Sequence, residues 1–139
     1  MLNLYGSRIK PKQKKALNFF AKKLFSPQMI RNLHIRVKFL SNSEDYGAVY
    51  ISDYNLTGNP RHFIMEISKE ESIDMQINTM AHEMVHVRQF VKKEINEELS
   101  KWKSRKINMH VVPYSKLPWE IQANKIGQKL FEEFKKNCG

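Results

Sequence analysis

At 139 residues the chain is long enough for a single domain with its own core and too short for two, so one domain spanning residues 1–139 is expected. Its content of 41% hydrophobic and 27% charged residues is that of a globular protein. No run of roughly 18 apolar residues exists to cross a membrane, and the start of the chain lacks the apolar core of a secretion signal, so a cytoplasmic location is expected. The single cysteine, Cys138, excludes an internal disulfide and any cysteine-based metal cluster. The formal net charge of +10 is unevenly placed: ten Lys and Arg precede the first acidic residue, Glu44, and basic and acidic residues balance from there on. Residues 1–43 therefore form a basic N-terminal segment.

Taken in order, Pro11 opens a stretch from Lys12 to Phe25 that places Leu17, Phe20, Ala21 and Leu24 on one stripe, which predicts an amphipathic helix ended by Ser26-Pro27. Leu33 to Leu40 alternates apolar with polar or basic residues, the pattern of a strand with one buried face. A polar turn from Ser41 to Asp45 leads to a second strand, Gly47 to Tyr54. A turn-rich loop, Asn55 to Pro60, leads to a third, Arg61 to Ser68. Ser72 is placed to cap a helix running to about Lys92, with Asp74 in its first turn and Ile73, Ile77, Met80, Met84 and Val87 on its apolar face. Asn96 to Arg105, with Glu97 and Lys101 four apart, reads as a further short helix. Met109 to Tyr114 is extended or loop around Pro113, and Trp119 to Lys136 is a last helix carrying Ile121, Ile126, Leu130, Phe131 and Phe134.

The chemistry is concentrated in the second long helix, in His82-Glu83-Met84-Val85-His86. Residues four apart share a helix face, so both imidazoles can address one metal ion, while Glu83 is offset by about 100° and can reach water beside it. Zinc suits such a site because it accepts imidazole nitrogen and works with three protein ligands. A third ligand must come from elsewhere. His110, Glu94, Glu97, Glu98 and Glu120 are the candidates; Glu120 is favoured by small Ala123, which allows close helix approach, and by Asn124 on its own face. Asn124 is expected to accept a hydrogen bond from the far ring nitrogen of His82 or His86.

The pair of motifs, His82-Glu83-x-x-His86 and Glu120-x-x-Ala123-Asn124, resembles the gluzincin type of zincin metallopeptidase, in which a second helix supplies a glutamate ligand. An acidic residue often stands four after that glutamate in the family; here it is Asn124. With Pro118-Trp119-Glu120 the chain is similar to small phage-encoded, SprT-like or ImmA-like metallopeptidases, although the third histidine common in SprT-like proteases is missing. The abundance of Lys, Asn and Ile is compatible with an AT-rich phage genome. The resemblance implies an α+β, zincin-like fold with an N-terminal helix, a small three-stranded antiparallel or mixed sheet, an active-site helix and a C-terminal glutamate helix. It also implies that the strand before the active-site helix, Arg61 to Ser68, lies at the cleft edge and pairs with an extended peptide substrate.

The expected activity is peptide-bond hydrolysis with Zn2+ on His82, His86 and Glu120, and Glu83 as general base. Tyr114 or His110 is expected to stabilise the oxyanion. The basic N-terminal third fits a non-specific nucleic-acid contact through lysines on its helix, or simply a solvated basic face. Two other readings stand beside the enzyme: a non-catalytic zinc-binding structural or regulatory protein, and a basic nucleic-acid-binding module with an accidental metal motif.

Overall fold

A computed structural model describes residues 1–41 and 47–138. In chain order these are β1 (Asn3–Tyr5), α1 (Pro11–Leu24), α2 (Pro27–Asn32), β2 (His34–Leu40), β3 (Gly47–Tyr54), β4 (Pro60–Ser68), α3 (Ile73–Val91), β5 (Lys101–Trp102), β6 (Arg105–Lys106), a single 3-10 turn at Tyr114–Lys116, and α4 (Pro118–Asn137). The expected turn from Ser41 to Asp45 lies, beyond Ser41, outside the described residues.

The sheet is mixed and has four strands in the order β1-β2-β4-β3, one more than the periodicity predicts. The extra strand, β1, is only three residues long and pairs in parallel with β2, through Asn3 with His34 and Tyr5 with Arg36. β2 pairs in parallel with β4, and β3 runs antiparallel to β4. Strand β4, expected at the cleft edge, is therefore internal. The edge belongs to β3, whose pairing with β4 slips between Ile51 and Asp53.

Alternation decides which face is buried. Ile35 and Val37 of β2 and Phe63, Met65 and Ile67 of β4 turn inward and are at most 3% exposed. They meet Ala16, Leu17, Phe20 and Ala21 of α1 and Ile77, Met80 and Met84 of α3 in one core, with α4 closing it through Leu130 and Phe134. Phe20 packs edge-on against Phe134 at 5.8 Å, and complete burial of such a ring contributes roughly 1.5–3 kcal/mol.

The helix ends are local chemistry. Pro11 opens α1, and Gln13 reaches back to accept from the Lys10 backbone N–H at 2.9 Å. The other end of the Gln13 amide donates to Gln76 of α3, which in turn donates to the Ser68 carbonyl, so a buried polar chain ties α1, α3 and β4 together. Ser72 caps α3 as expected, its hydroxyl accepting from the Met75 N–H at 3.2 Å.

Three further expectations fail. Asn96 to Arg105 is not helical: it carries the β5–β6 hairpin, in which Lys101 pairs with Lys106 and Trp102 with Arg105. Lys103 and Ser104 between the strands both have positive φ, the geometry of a two-residue hairpin turn, which helix-style charge spacing cannot reveal. Ile121, placed on the inner stripe of α4, is 52% exposed; the buried face of that helix runs through Trp119, Glu120, Ala123, Gly127, Leu130 and Phe134. Ile73, at the first position of α3, is 38% exposed rather than buried in the core.

Candidate metal centre

Because His82 and His86 are one turn apart on α3, their rings meet edge to face, with the two Nε2 atoms 3.1 Å apart. Glu120, in the first turn of α4, brings Oε1 to 3.0 Å from His82 Nε2 and 3.3 Å from His86 Nε2. The three form a group able to hold a metal ion. Their separations suit that purpose: a tetrahedral ion with bonds of about 2.0 Å has ligand atoms about 3.3 Å apart. Glu120 and His86 side chains are 8% and 10% exposed, and that of His82 is 22% exposed.

The tautomer of His86 follows from its neighbour. Gln89, fully buried, spends its amide N–H groups on the Trp119 carbonyl at 3.0 Å and on Gln122 Oε1 at 2.9 Å. Its remaining oxygen faces His86 Nδ1 at 2.8 Å, so Nδ1 carries the proton and donates. The lone pair of the neutral His86 ring is thereby left on Nε2, aimed at Glu120 and His82. Acceptor atoms that converge this closely require a cation or a proton between them. Without metal, the proton takes that place: burial opposes charge on both groups, but the hydrogen bonds and charges of His82 and His86 outweigh it and hold Glu120 at about 2. For His86, burial acts downward, but Glu120, Glu83 and Gln89 together raise it above its usual value.

What seats α4 so close to α3 is Gly127. A Cβ there would come within 3.0 Å of the His82 Cα and 3.1 Å of its backbone nitrogen, and Ala123, one turn earlier, is fully buried in the same seam. Ala123 thus permits the close approach that its size suggests, and Gly127 enforces it.

The three donors open on a cleft of about 710 Å³ bounded by α3, α4 and the start of β3. Glu83 lines it and is 5% exposed. Gly47 of β3 lies against this wall; a Cβ at that position would sit 2.4 Å from Thr79 Cγ2 and 3.5 Å from Glu83 Oε2. Past His86 the cleft turns apolar with Phe90, Ile95, Leu99 and Trp119.

The remaining candidates divide. Tyr114 lines the cleft and is 68% exposed. His110 is exposed on the preceding loop and is not among the lining residues. Asn124 is exposed and lines the cleft; of the two imidazoles it was expected to serve, His86 has its far nitrogen held by Gln89 instead. Glu97 is engaged by the Tyr54 hydroxyl and Glu94 lies 3.8 Å from Lys103, away from the imidazoles. Gln89, Gly47 and Gly127 carry no motif. Of these, only Gln89 left a trace in the sequence, since it stands three residues after His86 on the same side of the helix. Compared with protein families, with curated proteins and with solved structures, the chain finds no match.

Proposed function

We propose that the protein is a zinc-dependent peptidase of the gluzincin type, held together by His82, His86 and Glu120. The observation that carries this reading is a three-member donor set that opens on a cleft with Glu83 in its wall. A structural zinc has four protein ligands and no reason to face a cavity, whereas three ligands and an open side are the arrangement of catalytic sites.

A zinc ion bound there would supply Lewis acidity, polarising a carbonyl and making water more acidic. The protein's own groups do the rest. Glu83, one residue round the helix from His82, takes a proton from the attacking water and returns it to the leaving amine. Tyr114 offers a hydroxyl to the carbonyl oxygen as negative charge grows on it. The Gln89 oxygen keeps His86 in the tautomer that presents Nε2. Gly47, Ala48 and Val49 give the cleft a backbone edge along which an extended peptide pairs as an added strand, and Phe90, Ile95, Leu99 and Trp119 receive an apolar side chain beyond the scissile bond.

A second reading has one observation in its favour: the donors sit on two helices that already touch at Gly127, so zinc would also serve as a tie between them. Glu83→Gln separates the two. The variant is expected to keep one zinc per chain and the wild-type melting curve while losing about 10²–10⁴-fold in hydrolysis of an unfolded protein substrate. Zinc-loaded wild type that cleaves nothing would leave the tie; protein that takes up no zinc would remove both.

A further inference from the structure

The sheet face turned away from the helices carries a second chemistry. His34, Arg36 and Lys38 of β2 and His62, Ile64 and Glu66 of β4 point there, half-buried or exposed, with Tyr5 of β1 beside them. Three rings stand in a row across the strands. Tyr5 and His34 are 5.9 Å apart and 13° from parallel, and His34 and His62 are 4.3 Å apart and 4° from parallel. The Tyr5 hydroxyl and His34 Nδ1 share a hydrogen bond of 2.9 Å, and the Arg36 guanidinium lies over the Tyr5 ring at 5.6 Å. Burial, then His62, lower the pKa of His34 below its usual value.

This row opens at one end into a cavity of about 500 Å³ that His34 and His62 share with Gln28, Asn32, Asn55 and Arg61. No carboxylate stands among the described residues lining it, and nearly all of them are N–H or O–H donors. Two acids share the face, Asp53 opposite His62 in the strand register and Glu66 opposite Lys38. The Asp53 carboxylate accepts from the Tyr54 backbone N–H, and Glu66, toward the far end of β4, accepts from the Tyr50 hydroxyl. A donor-lined hollow with a guanidinium suits a phosphate, and flat rings beside it suit a base.

We propose that this face binds single-stranded nucleic acid, a phosphate entering the cavity of Arg61 and His62 while a base extends the ring row of Tyr5, His34 and His62. The site moves the polyanion contact away from α1, where sequence reasoning puts it. The lysines of α1 lie among the helices on the other side, with Lys12 and Lys23 already paired to Asp74 and Glu133. An excess of ten positive charges on the chain draws a strand to either place. The α1 side has a cavity of its own, about 590 Å³, with Lys14, Lys15, Lys22 and Phe19 in its lining, but the sheet sets a row of three rings beside a hollow that holds a guanidinium. The inference is independent of the peptidase reading.

Fluorescence anisotropy with a labelled oligothymidylate of about 15 nucleotides, long enough for one such site, tests it on the full chain. Binding is expected at about 50 mM salt, weakening by tenfold or more at about 200 mM, with a duplex of equal length bound less tightly. Arg36→Glu and the pair Arg61→Ala with His62→Ala should each lower affinity by about tenfold or more with unchanged circular dichroism. Lys14→Ala with Lys15→Ala on α1 should change it by less than about threefold, the contribution of charge alone. Arg36 and Lys14 are exposed, so neither of these changes threatens the fold. Absence of binding at low salt, equal affinity for duplex, or loss of binding only in the α1 variant would each overturn the proposal.

Discussion

The two helices of the candidate metal centre reach it by different means. α3 delivers both imidazoles through a property internal to any helix, the one-turn spacing of His82 and His86, and would do so wherever it packed. α4 delivers Glu120 only because its Gly127 rests against the His82 backbone, seven residues and two turns away from the carboxylate it positions. One half of the site is set by local geometry and the other by a tertiary seam, so damage to the seam should abolish the centre without touching a ligand.

Gly127→Val is the sharpest way to break that contrast. Its Cβ has only backbone atoms to push against, so α4 must move, costing about 1–3 kcal/mol of stability in urea unfolding and separating Glu120 from the imidazoles. Zinc stoichiometry measured by atomic absorption is expected to fall well below one per chain; full occupancy would show that α4 is not held where Gly127 puts it. Gln89→Leu acts at the junction of the two halves, since Gln89 lies on α3 and bonds to the Trp119 carbonyl and Gln122 on α4. Losing the acceptor for His86 Nδ1 should weaken zinc by about 10–100-fold in competition with a chromophoric chelator. An unchanged affinity would mean that His86 needs no help in choosing its tautomer. The smallest effect belongs to Lys12→Ala, which removes an ion pair to Asp74 in which both side chains are about half exposed, and should cost less than about 0.5 kcal/mol in urea unfolding and nothing in zinc binding.

The same division explains what could be read in advance. Local signals were reliable: the α1 stripe of Leu17, Phe20, Ala21 and Leu24 is buried as a block, β3 begins and ends where its composition says, and Ser72 caps α3. Elements that depend on partners left little trace. β1 has three residues, too few for any period, and exists because β2 accepts it in parallel. The β5–β6 hairpin turns through Lys103 and Ser104, and the chain around it bends at Lys93 and Leu99, all at positive φ without the glycine or asparagine that normally advertises such a bend. Within the site, His82, His86 and Glu120 were legible from residue type and spacing, and the structure brings them together. Gln89 was legible only in part: its spacing puts it on the same side of α3 as His86, but the α4 groups that fix its amide, the Trp119 carbonyl and Gln122, are not written locally. At His86, Gln89 stands where Asn124 was expected: a residue four after Glu120 shares its face, but the group that meets the far nitrogen of His86 comes from α3 itself.

One further consequence comes from the slip in β3. The strand keeps regular register with β4 from Gly47 to Ile51 and loses it at Ser52, where an extra residue enters opposite His62. Among the described residues the straight portion of the outer border is thus five residues long, with Gly47 at its start beside Glu83. On the proposed peptidase reading, a guest chain docked there would have a ruler of that length, since the register with β4 is regular only as far as Ile51. A slipped register of this kind also makes an edge a poorer template for pairing with further copies of a chain.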